Sequence, residues 1–103
     1  MSPTARSLKY LREMGYLADV VERWIPMARI RKDLFGIGDI FAIKDNERLI
    51  VQTTSASNVS ARVRKIADHE NTPKVRSAGV SIHVHGWRKN AAGRWVITVK
   101  DLS

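Results

Sequence analysis

The sequence predicts an α/β domain in which a helix, a strand, a β-hairpin, a second helix and a second β-hairpin follow one another. Apolar residues recur at helical spacing near the start of the chain and again after its midpoint. Two other segments alternate apolar and polar residues around short polar turns, as the strands of hairpins do. The length of 103 residues fits one domain over 1–103 with a modest core. Residues 1–5 are expected to be frayed.

The elements of the first third follow from local pattern. Leu8 and Leu11 recur at three-residue spacing, which predicts a helix over 6–14. A strand over 16–23 is favoured by its tyrosine and valine content, with a continued helix as the competing interpretation. Pro26 interrupts the pattern, and residues 28–34 then read as an arginine-rich edge strand or loop.

The remaining elements are predicted with clearer boundaries. Strands over 39–43 and 48–54 flank a polar Asp-Asn turn and form the first hairpin. A cluster of Ser and Asn at 55–58 is typical of a helix cap, and an amphipathic helix follows it and ends before Pro73. Residues 72–79 read as a short helix or a loop. The tail is predicted to form the second hairpin.

Composition indicates a polyanionic partner. The formal net charge is +8 and the sequence pI is about 10.5, which favours nucleic acid over most other ligands. A merely cationic surface is the alternative. The absence of cysteine excludes a disulfide framework and a thiolate metal site. No apolar run is long enough to span a bilayer, and the first ten residues lack the apolar core of a signal peptide, so no membrane partner and a cytoplasmic location are expected.

The first hairpin carries the candidate chemistry. A two-residue Asp-Asn turn would set Asp39 directly opposite Gln52, with their Cβ atoms roughly 4.5–5.5 Å apart. A carboxylate oxygen, an amide oxygen and the main-chain carbonyl of Thr53 are ligands that a hard divalent cation accepts. Glu22 and Asp33 are further carboxylates close enough in sequence to converge there. The alternative makes the aspartates turn residues and Gln52 a polar edge residue.

These residues support a family resemblance. The pattern Gly-x-x-Asp-Ile-x-Ala, a turn, then Leu-Ile-Val-Gln-x-Thr and a basic helix resembles the core of the PD-(D/E)XK nuclease superfamily, most closely its Holliday-junction resolvase-like branch with small phage or bacterial members. The resemblance runs from about Leu8 to Val99. Asp39 matches the aspartate that begins the second core strand, and Gln52 matches the Glu/Gln position.

The resemblance implies a single-domain mixed β-sheet flanked by helices, with a restriction-endonuclease-like core in the order α-β-β-β-α-β-β. It also implies a metal-dependent DNA endonuclease with branched or nicked DNA as its candidate substrates, Mg²⁺ or Mn²⁺ as cofactor, DNA as partner and a homodimer as assembly. Asp39, Gln52 and Thr53 would hold the cation, with Glu22 or Asp33 assisting.

Two departures from the family pattern bear on catalysis. Thr54 occupies the place of the motif lysine, and Arg62 or Lys65 on the following helix is expected to supply the displaced charge. The acidic residue that resolvase-like proteins carry on the first helix is absent from 4–7, and Glu22 is expected to replace it.

Other basic residues are expected to bind the phosphate backbone, which supplies affinity rather than sequence specificity. These are Arg29, Arg31, Lys32, Arg64, Arg88 and Lys89. A catalytically inactive nucleic-acid-binding module and a protein-interaction factor are the competing functions. His83 and His85 favour a structural or DNA-facing role over a zinc site, because no third ligand is evident. Trp95 is predicted to lie in the core. For Trp87, both a core position and a contact with nucleic acid stay open.

Overall fold

A five-stranded mixed sheet organises the chain, and the computed structural model describes residues 1–103. The helices are α1 (Pro3–Glu13), α2 (Val59–Ala67) and α3 (Thr72–Ser77). The strands are β1 (Leu17–Val20), β2 (Arg23–Ile25), β3 (Ile30–Lys32), β4 (Ile40–Lys44), β5 (Glu47–Ser55), β6 (Ser81–Lys89) and β7 (Trp95–Asp101).

The main sheet has the strand order β1-β4-β5-β6-β7, while β2 and β3 form a separate two-stranded ribbon. The β5–β6 pair is parallel, and the other neighbours in the main sheet are antiparallel. The predicted α/β class and mixed sheet flanked by helices are therefore confirmed. The predicted order α-β-β-β-α-β-β is wrong, because β2, β3 and α3 are additional elements. None of the helices combines the length and the apolar character that crossing a membrane requires.

Helix α1 begins earlier than the sequence predicted. The Oγ atom of Ser2 accepts a hydrogen bond from the backbone N–H of Ala5 at 3.1 Å, and Pro3 occupies the first helical position. Serine at the cap followed by proline is a favoured start, because proline has no N–H to leave unsatisfied there. The expectation that residues 1–5 are frayed is wrong, since the helix is already formed at Pro3.

The segment between α1 and β4 differs from its prediction. The strand predicted over 16–23 is confined to Leu17–Val20, and the competing continued helix is wrong. A second strand then starts at Arg23 and pairs with β3 in the ribbon, so the arginine-rich segment is a strand of a separate hairpin rather than an edge of the main sheet. Strand β3 lies within residues 28–34, where a strand was one of the two predicted alternatives. The pairing partner β2 was not predicted as a separate strand, because it has only three residues.

The first predicted hairpin is confirmed within a residue at each end. Lys44 pairs with Glu47, so Asp45 and Asn46 form the two-residue turn. Asp45 has φ 51°, in the left-handed region that Asp and Asn tolerate better than most residues. The register sets alternate residues on opposite faces of the sheet. One face packs with α1 through Leu11, Ala18, Ile40, Ala42, Leu49 and Val51.

Helices α2 and α3 connect the parallel strands β5 and β6 and cover the opposite face of the sheet. Its buried cluster consists of Ile37, Ile50, Val59, Ile66, Val75, Ile82 and Val84. The segment 72–79 contains a short helix, one of the two alternatives predicted for it. The predicted Ser/Asn cap of α2 is wrong, because Asn58 makes no side-chain capping bond and a single 3₁₀ turn over Ala56–Asn58 leads into the helix instead.

A buried polar node joins α1 to β6. Ser7 Oγ lies 2.9 Å from Nδ1 of His85 and accepts a hydrogen bond from Nε1 of Trp87 at 2.8 Å. Burial, with a smaller effect of His83, lowers the pKa of His85 to about 4, so the ring is neutral at pH 7. His85 and Trp87 are thus buried, whereas the core position predicted for Trp95 is wrong. Trp95 is 44% exposed.

Replacing Ser7 by Ala is expected to lower the free energy of unfolding by about 1–3 kcal/mol, because Trp87 keeps a buried N–H without an acceptor. Urea denaturation measures the change. Ser77→Ala is the control: Ser77 is exposed and bonds only to the carbonyl of Lys74, so its loss should stay within about 0.5 kcal/mol. Equal effects of the two substitutions would contradict a stabilising node.

Candidate metal centre

A polar cleft of about 340 Å³ opens at one end of the sheet. The end of β5, the start of β4 and the first turn of α1 meet there, and α2 and the base of the ribbon border it. Its lining residues are Pro3, Thr4, Glu22, Arg31, Asp33, Asp39, Gln52, Thr53, Arg62 and Lys65. The cleft therefore contains three carboxylates and three cationic side chains.

Asp39 lies just beyond the regular β4–β5 pairing. The ladder ends at Ile40 opposite Val51, and the Asp39 N–H donates to the carbonyl of Val51 at 2.9 Å. The register of the hairpin is the one that the Asp45-Asn46 turn predicts. Regular pairing stops one residue before Asp39 and Gln52, whose side chains are neighbours, 3.4 Å apart. Gly38 permits this approach, because a Cβ there would meet Val51 O at 2.8 Å, closer than any side chain tolerates.

Threonine hydroxyls hold the Asp39 carboxylate in place. Its Oδ1 accepts from the backbone N–H of Thr53 at 3.1 Å, and its Oδ2 accepts from Thr53 Oγ1 at 2.9 Å. Thr53 donates its only hydroxyl proton to the carboxylate. The hydroxyl of Thr4, 2.8 Å from Thr53 Oγ1, is therefore the donor in the bond between the two threonines. Helix α1 thereby supports the carboxylate through one intermediate side chain.

Four acceptors surround the buried Gln52 amide. In one orientation its nitrogen donates to Asp39 Oδ2 and to the Thr53 carbonyl, both at 3.4 Å. With the amide turned over, the nitrogen donates to the carbonyl of Ile37 and to Asp33 Oδ2, both at 3.1 Å, and these shorter bonds favour the second orientation. The amide oxygen then occupies the position 3.4 Å from both Asp39 Oδ2 and the carbonyl oxygen of Thr53. In that second orientation three oxygens face one another, which is the ligand set that a hard divalent cation takes.

Three carboxylates share this end of the cleft. One oxygen each from Glu22, Asp33 and Asp39 lies within 4.8 Å of the others. Arg31 is bound to Glu22, with Nη1 3.1 Å from Oε1. The sequence placed all three acids as candidates, and the fold brings them together.

Burial and, to a smaller extent, this crowding shift the pKa values of Asp39 and Asp33. Burial raises the pKa of Asp39 to about 6; the hydrogen bonds from Thr53 oppose that shift, and the nearby carboxylates of Asp33 and Glu22 add to it. Burial and Glu22 also raise the pKa of Asp33, while Lys65 and Arg62 lower it. The centre thus favours either a proton or another positive charge among its oxygens.

The predicted basic residues separate into two groups. Arg62 and Lys65 reach the cleft from α2, and Arg31 reaches it from the ribbon. The other predicted phosphate contacts are exposed but do not line the cleft: Arg29, Lys32, Arg64, Arg88 and Lys89. Thr54, at the place of the motif lysine, is buried and also lies outside the lining.

Thr4 and Pro3 are members of the cleft that the sequence reasoning missed. The expectation of a frayed start removed them from consideration. The signal that could have found them is the Ser-Pro pair at positions 2 and 3, which is typical of a helix start and fixes where the first turn lies.

Comparisons of the chain with protein-family models, with curated proteins and with solved structures found no match.

Replacing Asp39 by Asn is expected to raise the free energy of unfolding at pH 8 by about 1–3 kcal/mol. The pKa of Asp39 is about 6 against an ordinary value of 3.8, so the fold favours the protonated carboxyl and loses stability as the pH rises through that window. Asn cannot ionise and escapes this loss, so the gain should vanish below pH 4. Denaturation curves across this pH range measure it.

Addition of Mn²⁺ at pH 8 should reverse the ranking, because a ligand that binds only the native protein stabilises it. Wild type is expected to gain stability with Mn²⁺ and Asp39→Asn is expected to gain little. Equal gains in both proteins would place the cation elsewhere.

Proposed function

We propose that this protein is a divalent-metal-dependent nuclease that hydrolyses phosphodiester bonds in DNA. The observation that carries the proposal is the convergence of the Asp39 carboxylate, the Gln52 amide oxygen and the Thr53 carbonyl beside two further carboxylates and two cations of α2. The overall charge of +8 supports a polyanionic substrate.

The donor set fits Mg²⁺ or Mn²⁺, because all of its atoms are oxygens. Asp39, Gln52 and Thr53 would hold the ion, with Asp33 and Glu22 beside them. A divalent cation bound among these ligands supplies charge neutralisation at a phosphate and a lowered pKa for water. The hydroxyls of Thr53 and Thr4 keep the Asp39 carboxylate oriented.

Arg62 and Lys65 would take over the role of the missing motif lysine. Both lie on α2 facing the cleft, and both lower the pKa of Asp33 through their charge. A fixed cation beside the carboxylates would stabilise the negative charge that develops on the transferred phosphoryl group.

A catalytically inactive DNA-binding module on the same scaffold is the second candidate. The observation that favours it is the motif-lysine position, where Thr54 is buried and outside the cleft. The neutral Gln52 also gives the centre one charge less than a glutamate would.

The resemblance to the PD-(D/E)XK superfamily and its resolvase-like branch belongs to this proposal, as do the cytoplasmic location and the homodimer. Association of two copies is supported by Leu17 and Ile43, which pair across the edge of the sheet and remain exposed. The exposed β1 edge offers a surface that a second copy would cover.

Replacing Asp39 by Ala is expected to abolish cleavage of a panel of branched, nicked and linear DNA in Mg²⁺ or Mn²⁺, while DNA affinity in EDTA persists. The carboxylate provides the only charged ligand among the three converging oxygens, so its loss removes the ion. Asp68→Ala, which removes an exposed carboxylate from the end of α2, is the matched control and should cleave as wild type does. No cleavage by wild type under any condition would favour the inactive module.

Replacing Arg62 or Lys65 by Met is expected to lower the cleavage rate at saturating DNA by roughly 100-fold, as removal of one transition-state donor does. Arg64→Met removes an equal charge from the same helix outside the cleft and should change mainly affinity. Single-turnover kinetics separate the two effects. A similar loss of affinity with unchanged turnover in all three variants would refute the role assigned to α2.

A further inference from the structure

The β2–β3 ribbon stands apart from the main sheet at the mouth of the cleft. It follows Glu22 directly and ends directly before Asp33, so both of its ends carry a carboxylate of the acidic cluster. Its two strands pair only with each other. Met27, in the connecting loop, is completely exposed.

The charge of the ribbon selects the kind of partner. Four cations lie between residues 23 and 32 and no carboxylate accompanies them: Arg23, Arg29, Arg31 and Lys32. A second copy of the ribbon would bring like charges together, whereas a phosphate backbone complements them. The exposed apolar side chains of the ribbon therefore do not favour self-association.

Trp24 provides a contact beyond charge. It pairs in register with Arg31, so both side chains lie on the same face of the ribbon. Arg31 contacts Glu22 and lines the cleft, which sets this face at the cleft rim. Trp24 is nevertheless 55% exposed, so much of its ring is free to stack on another flat group.

We infer that the Trp24–Arg31 face binds an unpaired nucleotide beside the cleft, with Trp24 stacking on its base. Stacking on an aromatic side chain requires a base whose face is open, and within a continuous duplex the neighbouring base pairs cover both faces. The inference deepens the proposed function and rests on it: the preferred substrate is DNA with unpaired nucleotides next to the scissile phosphate, rather than continuous duplex.

The test compares the binding of a blunt duplex with that of the same duplex carrying a single-stranded arm, both in EDTA. Wild type is expected to bind the armed duplex more tightly. Trp24→Ala should weaken that binding roughly 5- to 100-fold, as loss of one stacked base does, and leave the blunt duplex within about twofold. Trp24→Phe should retain most of the preference. Met27→Ala removes an exposed apolar side chain from the same ribbon and should change neither affinity.

Three results would overturn the inference. An equal loss for both DNAs would mean that the ribbon lies in a duplex groove. Unchanged preference in Trp24→Ala, or a change only in sedimentation behaviour, would assign Trp24 to another contact. Because binding in EDTA does not depend on cleavage, these failures leave the nuclease proposal standing. Absence of binding to either DNA by wild type would overturn both.

Discussion

Crowding of three carboxylates at the end of the sheet is the constraint on which the rest of the structure depends. Two unit charges separated by 4.8 Å repel by about 3 kcal/mol at the effective dielectric constant typical of protein sites. The protein offsets this repulsion with Arg31, Arg62 and Lys65, and with the donors of Thr53. Burial chiefly, with the remaining repulsion from Asp33 and Glu22, raises the pKa of Asp39 to about 6.

Each element around the three carboxylates supplies some of the groups that surround them. The β4–β5 hairpin supplies the buried oxygens, the ribbon delivers a carboxylate at each of its ends, and α2 contributes cations from outside. Gly38 lets the chain come close enough to β5 for the Asp39 side chain to reach Thr53. Stability is therefore sacrificed locally for an arrangement of oxygens that the core alone does not need, as is common at functional sites.

Several members of the centre were predictable because their geometry is local. A two-residue turn fixes the register of its hairpin, so Asp39 and Gln52 were expected to be neighbours, and the observed register brings their side chains to 3.4 Å. Helical spacing set Arg62 and Lys65 on one side of α2. The pairing of β2 with β3 was missed, since three-residue strands carry too little periodicity to be recognised. Thr4 was missed because its contact with Thr53 spans 49 positions in the chain.

The sequence by itself determined the α/β class, the turn of the first hairpin, the basic character and the residues able to supply oxygen ligands. These properties depend on composition, on the spacing of apolar residues and on contacts between residues close in the chain. Only the tertiary structure decided that Glu22 and Asp33 converge on Asp39, that the Gln52 amide lies among four acceptors beside that carboxylate, and that Trp95 is exposed while Trp87 is buried. Such outcomes depend on which distant surfaces pack together, and no local pattern of residues encodes the distance between them.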